Sequence, residues 1–265
     1  MIFWLFLLAI VPPLALLLFF YFRDRYKKEP LWPLLVTFLL GAFVVLPSSA
    51  TSVTLGRWTG LSGSSASLLH VFGRALLLAG VVEEFWKFLV VRLYAYARPE
   101  FDEPYDGIMY AITTALGFAT VENILYIFGP TVGPVIQQAF SVGVLRAVLA
   151  VPGHAFYGVL MGYFLGEAKF ARDEIRSVLL TLTGLGLAIL AHGVYDFIAF
   201  ALYRRPLLIV SLIVFAVLSW VIFFKATRRL AEQSAHREPA LLQAQAELKK
   251  AAETQPQDPL APPEE

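Results

Sequence analysis

The sequence predicts an all-α fold: a polytopic transmembrane helix bundle of about seven spans, N-terminus out and C-terminus in. Two observations predict it. Hydrophobic residues fill 58% of the 265 positions and the mean hydropathy is +0.68, outside the range of ordinary soluble domains. The apolar residues also fall in runs of about 20, the length that crosses a hydrocarbon core. A third observation bears on function: four of these runs carry acids or histidines, which cost several kcal/mol or more near the bilayer centre and therefore mark working sites.

The first run, 2–22, has no basic segment before it and no small-residue cleavage site after it, so it reads as a retained span rather than a secretory signal. The next six are expected at 31–51, 70–97, 107–129, 138–166, 178–203 and 206–225. Arg23, Arg25, Lys27 and Lys28 follow span one, Arg98 follows span three, and Lys169, Arg172 and Arg176 follow span five, which puts those loops in the cytoplasm. Lys225, Arg228 and Arg229 place the end of span seven inside; Arg204 and Arg205 run against the rule. Residues 1–228 thus form the bundle, and 229–265, rich in Gln, Glu, Ala and Pro, form a cytoplasmic tail expected to be a short helix followed by disorder. With no cysteine, the chain has no disulfide, no thiolate zinc site and no cysteine nucleophile, and His, Glu and Asp are left as its strong catalytic or metal-binding groups. No basic nucleic-acid patch is present.

In span three Lys87 stands four residues after Glu83 and three after Glu84, so its ammonium reaches back to one carboxylate and leaves the other to act as a base or ligand. In span four Glu122 is followed by Asn123 and, one turn on, by Tyr126, whose hydroxyl is positioned to donate to the carboxylate. His154 follows Pro152 and Gly153 in span five, above Gly158, Gly162 and Gly166, a four-residue repeat that lets a neighbouring helix approach closely. His192 and Asp196 share a face of span six, where the carboxylate is expected to fix the imidazole tautomer. Arg146 and His70 fall near span ends and read as interfacial. Counting rise from the predicted ends places Glu83 and His154 roughly 18–24 Å, and Glu122 and His192 roughly 10–17 Å, below the outer surface, so one polar layer can form.

The ordered set Glu83-Glu84-x-x-Lys87, Phe118-x-x-x-Glu122-Asn123-x-x-Tyr126, His154, and His192-x-x-x-Asp196 resembles the PrsW family of intramembrane proteases, related to the CAAX prenyl-endopeptidase and bacteriocin-processing group. The resemblance covers about 83–196. It implies hydrolysis of a peptide bond, within or near the bilayer, in a membrane-anchored protein such as an anti-sigma factor, by a multi-pass protein of the bacterial cytoplasmic membrane. In that reading Glu83, Glu84, Glu122, His154 and His192 are catalytic, with Lys87, Asn123, Tyr126 and Asp196 in support. Water is activated by Glu83 or Glu84 with help from His154, and His192 or the Asn123 amide stabilises the oxyanion. The chain lacks H-E-x-x-H, and a metal-free mechanism stands beside a zinc mechanism; the metal, if present, would take His154, His192 and Glu122. A proton-coupled transporter or relay and an inactive membrane scaffold are the alternatives of other classes.

Overall fold

A computed structural model describes residues 2–24, 27–63, 65, 67–129, 136–202 and 205–254, with side chains through residue 234. Arg25, Arg204, the loop 130–135 and the tail beyond residue 254 lie outside the described residues. All elements among the described residues are helical. Six helices are long and apolar enough to cross a membrane: α1 (Ile2–Arg23), α2 (Leu31–Thr59), α4 (Pro104–Phe128), α5 (Gln137–Lys169), α6 (Glu174–Leu202) and α7, whose spanning part is Leu208–Ser234. Between α2 and α4 runs a further helical rod, α3 (68–95), which alternates α turns with wider π turns at Arg74–Val81 and Val91–Ala95. The expected count of seven rests on this charged rod. A π turn leaves carbonyls out of register with the helix ladder, and the Ser52 hydroxyl of α2 donates to one of them, Leu78 O, at 2.6 Å.

The α4 helix starts where its sequence dictates. Pro104 occupies the first turn, where its missing N–H costs nothing. The Glu103 side chain accepts from the Asp106 amide, while Asp106 Oδ2 accepts from the Glu103 amide at 2.7 Å, a reciprocal cap. Every residue from Pro104 to Thr120 is buried, so α4 is the central post of the bundle, in contact with α1, α2 and α5. The α4–α5 contact depends on glycine: a Cβ on Gly162 would collide with the Gly107 carbonyl, and one on Gly166 with the Pro104 carbonyl. The glycine repeat is thus a packing face, as its spacing predicts.

Large apolar side chains such as Leu190, Leu218 and Ile222 face outward on α6 and α7, an exposure that suits a lipid environment. The helix that begins in α7 runs on unbroken to Thr254, longer than the short helix expected of the tail. Ala, Leu, Gln, Glu and Lys dominate 240–252, and all five are strong helix formers.

At one end of the bundle the connections are tied by polar contacts. Lys27 pairs with Asp102, and the Tyr110 hydroxyl donates to Glu29. Burial raises the Glu29 carboxyl. Burial, helped by the negative charges of Asp24 and Asp102, raises the Glu103 carboxyl from 4.5 to about 7. The folded chain therefore keeps a proton there that the unfolded chain releases, so stability falls as pH climbs from 4.5 to about 7.

Two outcomes are expected from this architecture. Gly162→Val forces α4 and α5 apart and lowers stability by about 1–3 kcal/mol or more, read as a drop in melting temperature in detergent; an unchanged value would contradict the close α4–α5 contact. The melting temperature of the native chain is higher at the acid end of the window than above it, and Glu103→Gln flattens this slope. Identical slopes in the two proteins would remove Glu103 from the account.

Candidate active site

Four helices each contribute polar side chains to one buried ring. On α3, Glu84 and Lys87 face inward from successive turns and pair at 2.8 Å, both side chains almost wholly buried. Lys87 Nζ also lies 3.6 Å from Glu83 Oε2, and over the Phe118 ring at 4.2 Å. The ammonium is therefore held by two carboxylates and an aromatic face.

The same cation joins α3 to α5. Lys87 Nζ stands 3.0 Å from His154 Nδ1, and His154 Nε2 stands 2.8 Å from Glu122 Oε2 on α4. An ammonium has only donors, so it donates to Nδ1; the Nε2–H then donates to Glu122. On α6, His192 Nδ1 stands 2.8 Å from Glu84 Oε1 and donates its proton there. His192 Nε2 lies 3.9 Å from Glu83 Oε2 and 3.7 Å from Asp196 Oδ2. Tyr157 stacks on the His192 ring at 4.7 Å and His154 meets it edge-on at 5.3 Å, so the imidazole plane is fixed on both sides.

Arg146 is the residue that sequence reasoning placed wrongly. Read as interfacial, it is instead part of the ring: Nη2 donates to Glu122 Oε2 and Nε to Asn123 Oδ1, both at 2.7 Å. It stands eight residues before His154, about 80° away around an ideal α-helix. The π turn at Arg146–Ala150 absorbs one residue, reducing the offset to about 20°. Arg146 and His154 thus reach the same oxygen of Glu122. The available signal was an arginine inside an apolar run just ahead of Pro152 and Gly153.

Three other expected contacts differ. Tyr126 meets the site with its ring, 4.1 Å beneath the Arg146 guanidinium, rather than by a hydroxyl bond to Glu122. The His192 tautomer is fixed by Glu84 from α3, because the Asp196 carboxylate lies nearest the other ring nitrogen. The Asn123 amide donates one hydrogen to Ala9 O of α1 at 3.2 Å while its oxygen accepts from Arg146, so one N–H is left for any further acceptor. His70, also read as interfacial, lies within hydrogen-bond distance of Gly63 O, at 2.9 Å.

Beside the ring opens a cavity of ≈ 280 Å³ faced by Glu122, Arg146, His154, His192 and Asp196, with Leu145 and Leu212 among its apolar walls. Glu83, His154 and His192 present ligand atoms that all lie within 4.8 Å of one another. The fit to a divalent cation is specific in two members. Glu83 Oε2 is buried without a hydrogen-bond partner, and His192 Nε2 is turned toward it, its other nitrogen held by a carboxylate in the manner of a metal-ligating histidine. His154 has both nitrogens engaged and would exchange one contact to join them. Glu122, in the conditional ligand set read from the sequence, bonds Arg146 and His154; the converging group contains Glu83 beside the two histidines.

Residues 29–225 match the sequence profile of a family described as PrsW family intramembrane metalloprotease. The chain is 40% identical over 194 residues to Protease PrsW of Bacillus subtilis, covering 73% of this chain and 82% of that protein. It is 38% identical over 196 residues to Protease PrsW of Geobacillus kaustophilus, with 74% and 80% covered, and 36% identical over 218 residues to that of Clostridioides difficile, with 82% and 87% covered. No solved structure matches. On the profile match and these relatives, the chain, a multi-pass membrane enzyme of the protease type, belongs to the PrsW family of intramembrane metalloproteases.

Proposed function

We propose that this enzyme hydrolyses a peptide bond of a membrane-anchored protein at the cavity beside Glu122 and His192, with water activated at the point that Glu83 and His192 both face. One observation carries the reading: Glu83 Oε2, buried without a hydrogen-bond partner, and His192 Nε2 face each other at 3.9 Å. With Nδ1–H given to Glu84, the neutral His192 ring turns a lone pair toward the Glu83 carboxylate, and two such acceptors call for a donor or a cation between them. Water there donates to both, and Glu83, buried and only distantly paired with Lys87, takes the proton as the oxygen attacks the carbonyl. Glu84 and Lys87 position rather than react: they hold the His192 ring and the second carboxylate in place. Arg146 pairs with Glu122 and lines the cavity, which Asn123 does not, with donor capacity beyond its two bonds, so it serves the developing oxyanion better than Asn123 does.

Glu83, His154 and His192 would hold a divalent ion such as zinc at the same point, and the ion would supply Lewis acidity to water and carbonyl. The resemblance and the positive-inside pattern favour a bacterial cytoplasmic membrane with the N-terminus outside, cleavage from the outer side, and an anti-sigma factor as the first substrate to test.

Glu83→Gln is expected to lower cleavage of a co-expressed single-span reporter by roughly 10²–10⁴-fold while the protein stays folded. Arg146→Met should cut cleavage and also destabilise the fold, because it leaves Glu122 buried without its cation. Full activity in Glu83→Gln ends the proposal. In the purified chain, bound zinc measured per protein should be lost in Glu83→Gln and His192→Ala and kept in Glu122→Gln. Loss only in Glu122→Gln would restore the ligand set that the sequence alone suggests, and a fully active, metal-free protein would leave proton transfer by Glu83 as the sole route.

A further inference from the structure

Away from the catalytic ring, a groove of ≈ 700 Å³ runs between α5, α6 and α7. Its walls are apolar along their length, with Phe164, Leu187, Leu190, Leu218 and Ile222 among them; at one end the lining changes to Lys225 and Arg229 of α7, beside Tyr163 of α5. Lys225 and Arg229 lie four residues apart and so share a face. Neighbouring Arg228 is matched by Glu232 at 2.8 Å, whereas neither Lys225 nor Arg229 has a carboxylate within ion-pair distance among the described residues. The Arg23 guanidinium, at the end of α1, lies 5.3 Å from the ring of Phe224. Charged side chains of two spans therefore begin at one level, the level expected of lipid headgroups.

The dimensions limit what fits. From Phe215 to Arg229 the groove follows α7 for roughly 20 Å, somewhat more than the ~15 Å hydrocarbon depth of one leaflet. A groove of that length and ≈ 700 Å³ suits an extended polymethylene chain. At the deep end Phe215 meets Phe156 edge-on at 6.3 Å and Tyr195 at 6.2 Å, and the groove shares no lining residue with the catalytic cavity.

We propose that this groove binds an anionic phospholipid, with one acyl chain between α5, α6 and α7 and the phosphate against Lys225 and Arg229. Basic pockets between spans at the membrane surface suit acidic headgroups, and two unmatched cations above an apolar slot are complementary to such a lipid and not to a zwitterionic one. The site is independent of the protease reading, although α7 also contributes Leu212 to the wall of the catalytic cavity.

The test reconstitutes the full chain in phosphatidylcholine vesicles and labels it with phosphatidylglycerol carrying a photoactivatable acyl chain, against a phosphatidylcholine probe with the same chain. Peptide mapping should find the phosphatidylglycerol label concentrated on Leu187, Leu190, Leu218 and Ile222. The double variant Lys225→Ala, Arg229→Ala should lose roughly tenfold or more of that preference, Lys225→Arg should keep it, and Leu218→Trp, which fills the groove with both cations intact, should lose the label. Equal labelling by the two probes on the native chain, or a preference that survives the double variant, overturns the proposal. Should the double variant fold poorly in detergent, the two-probe comparison on the native chain and on Leu218→Trp decides alone.

Discussion

The ring depends on the Glu84 carboxylate, which is gripped by the Lys87 ammonium from its own helix and by the His192 Nδ1–H from α6. A carboxylate this deeply buried is tolerated only when paired and hydrogen-bonded. Glu84 has both kinds of partner on one oxygen, and it thereby fixes the direction of Lys87 and the tautomer of His192. Lys87 in turn sets the tautomer of His154 by donating to Nδ1, which points the other proton at Glu122. Each orientation follows from the one before it. Loss of one member would do more than delete a bond, because it would leave a neighbouring charge buried without compensation, a cost of about 3–5 kcal/mol.

The second constraint is backbone register. An unbroken α-helix from Arg146 to His154 would present the two side chains about 80° apart, and only one of them could reach Glu122. The π turn at Arg146–Ala150 removes that mismatch. A π turn weakens local hydrogen bonding and persists where the surroundings hold it, and here the guanidinium is held by Glu122, Asn123 and the Tyr126 ring. The α3 rod shows the same device on either side of Glu83–Lys87, with the Leu78 carbonyl satisfied by Ser52 of α2. Helices of widened pitch thus flank the charged positions on both α3 and α5.

These two constraints separate what the sequence could reveal from what it could not. Hydropathy and run length located most helix ends to within a few residues, with α2 and α7 spanning eight and nine residues beyond their expected ends, and the spacing of Glu83, Glu84 and Lys87 identified their mutual pairing, because both signals are local. The convergence of α3, α4, α5 and α6 was legible from depth, since rise per residue is fixed and the chain alternates direction. Partner choice across helices was not. His192 and Asp196 share a helix face, but which acid takes the Nδ1 proton depends on how α3 and α6 are rotated against each other, and rotation is set by side-chain packing. Arg146 escaped for a related reason, because a register shift of one residue moves a side chain to another face while leaving no mark in the hydropathy pattern. The tie from Asn123 to the Ala9 carbonyl was likewise invisible, since a backbone acceptor on α1 carries no side-chain signature.

The composition of the ring also limits the chemistry it can host. Its acids are Glu83, Glu84, Glu122 and Asp196, and its fixed cations are Lys87 and Arg146, so the ring is richer in acids than in permanent cations. Glu84 and Glu122 are each paired closely with a cation, which concentrates the uncompensated negative charge on the side where Glu83 Oε2 faces His192 Nε2. A buried excess of negative charge is relieved by a proton or a metal cation, and imidazole with carboxylate donors suits zinc or a related divalent ion better than a soft monovalent one. The proposed proton acceptor and the proposed metal group coincide because one charge imbalance, focused by the pairing of the other acids, generates both.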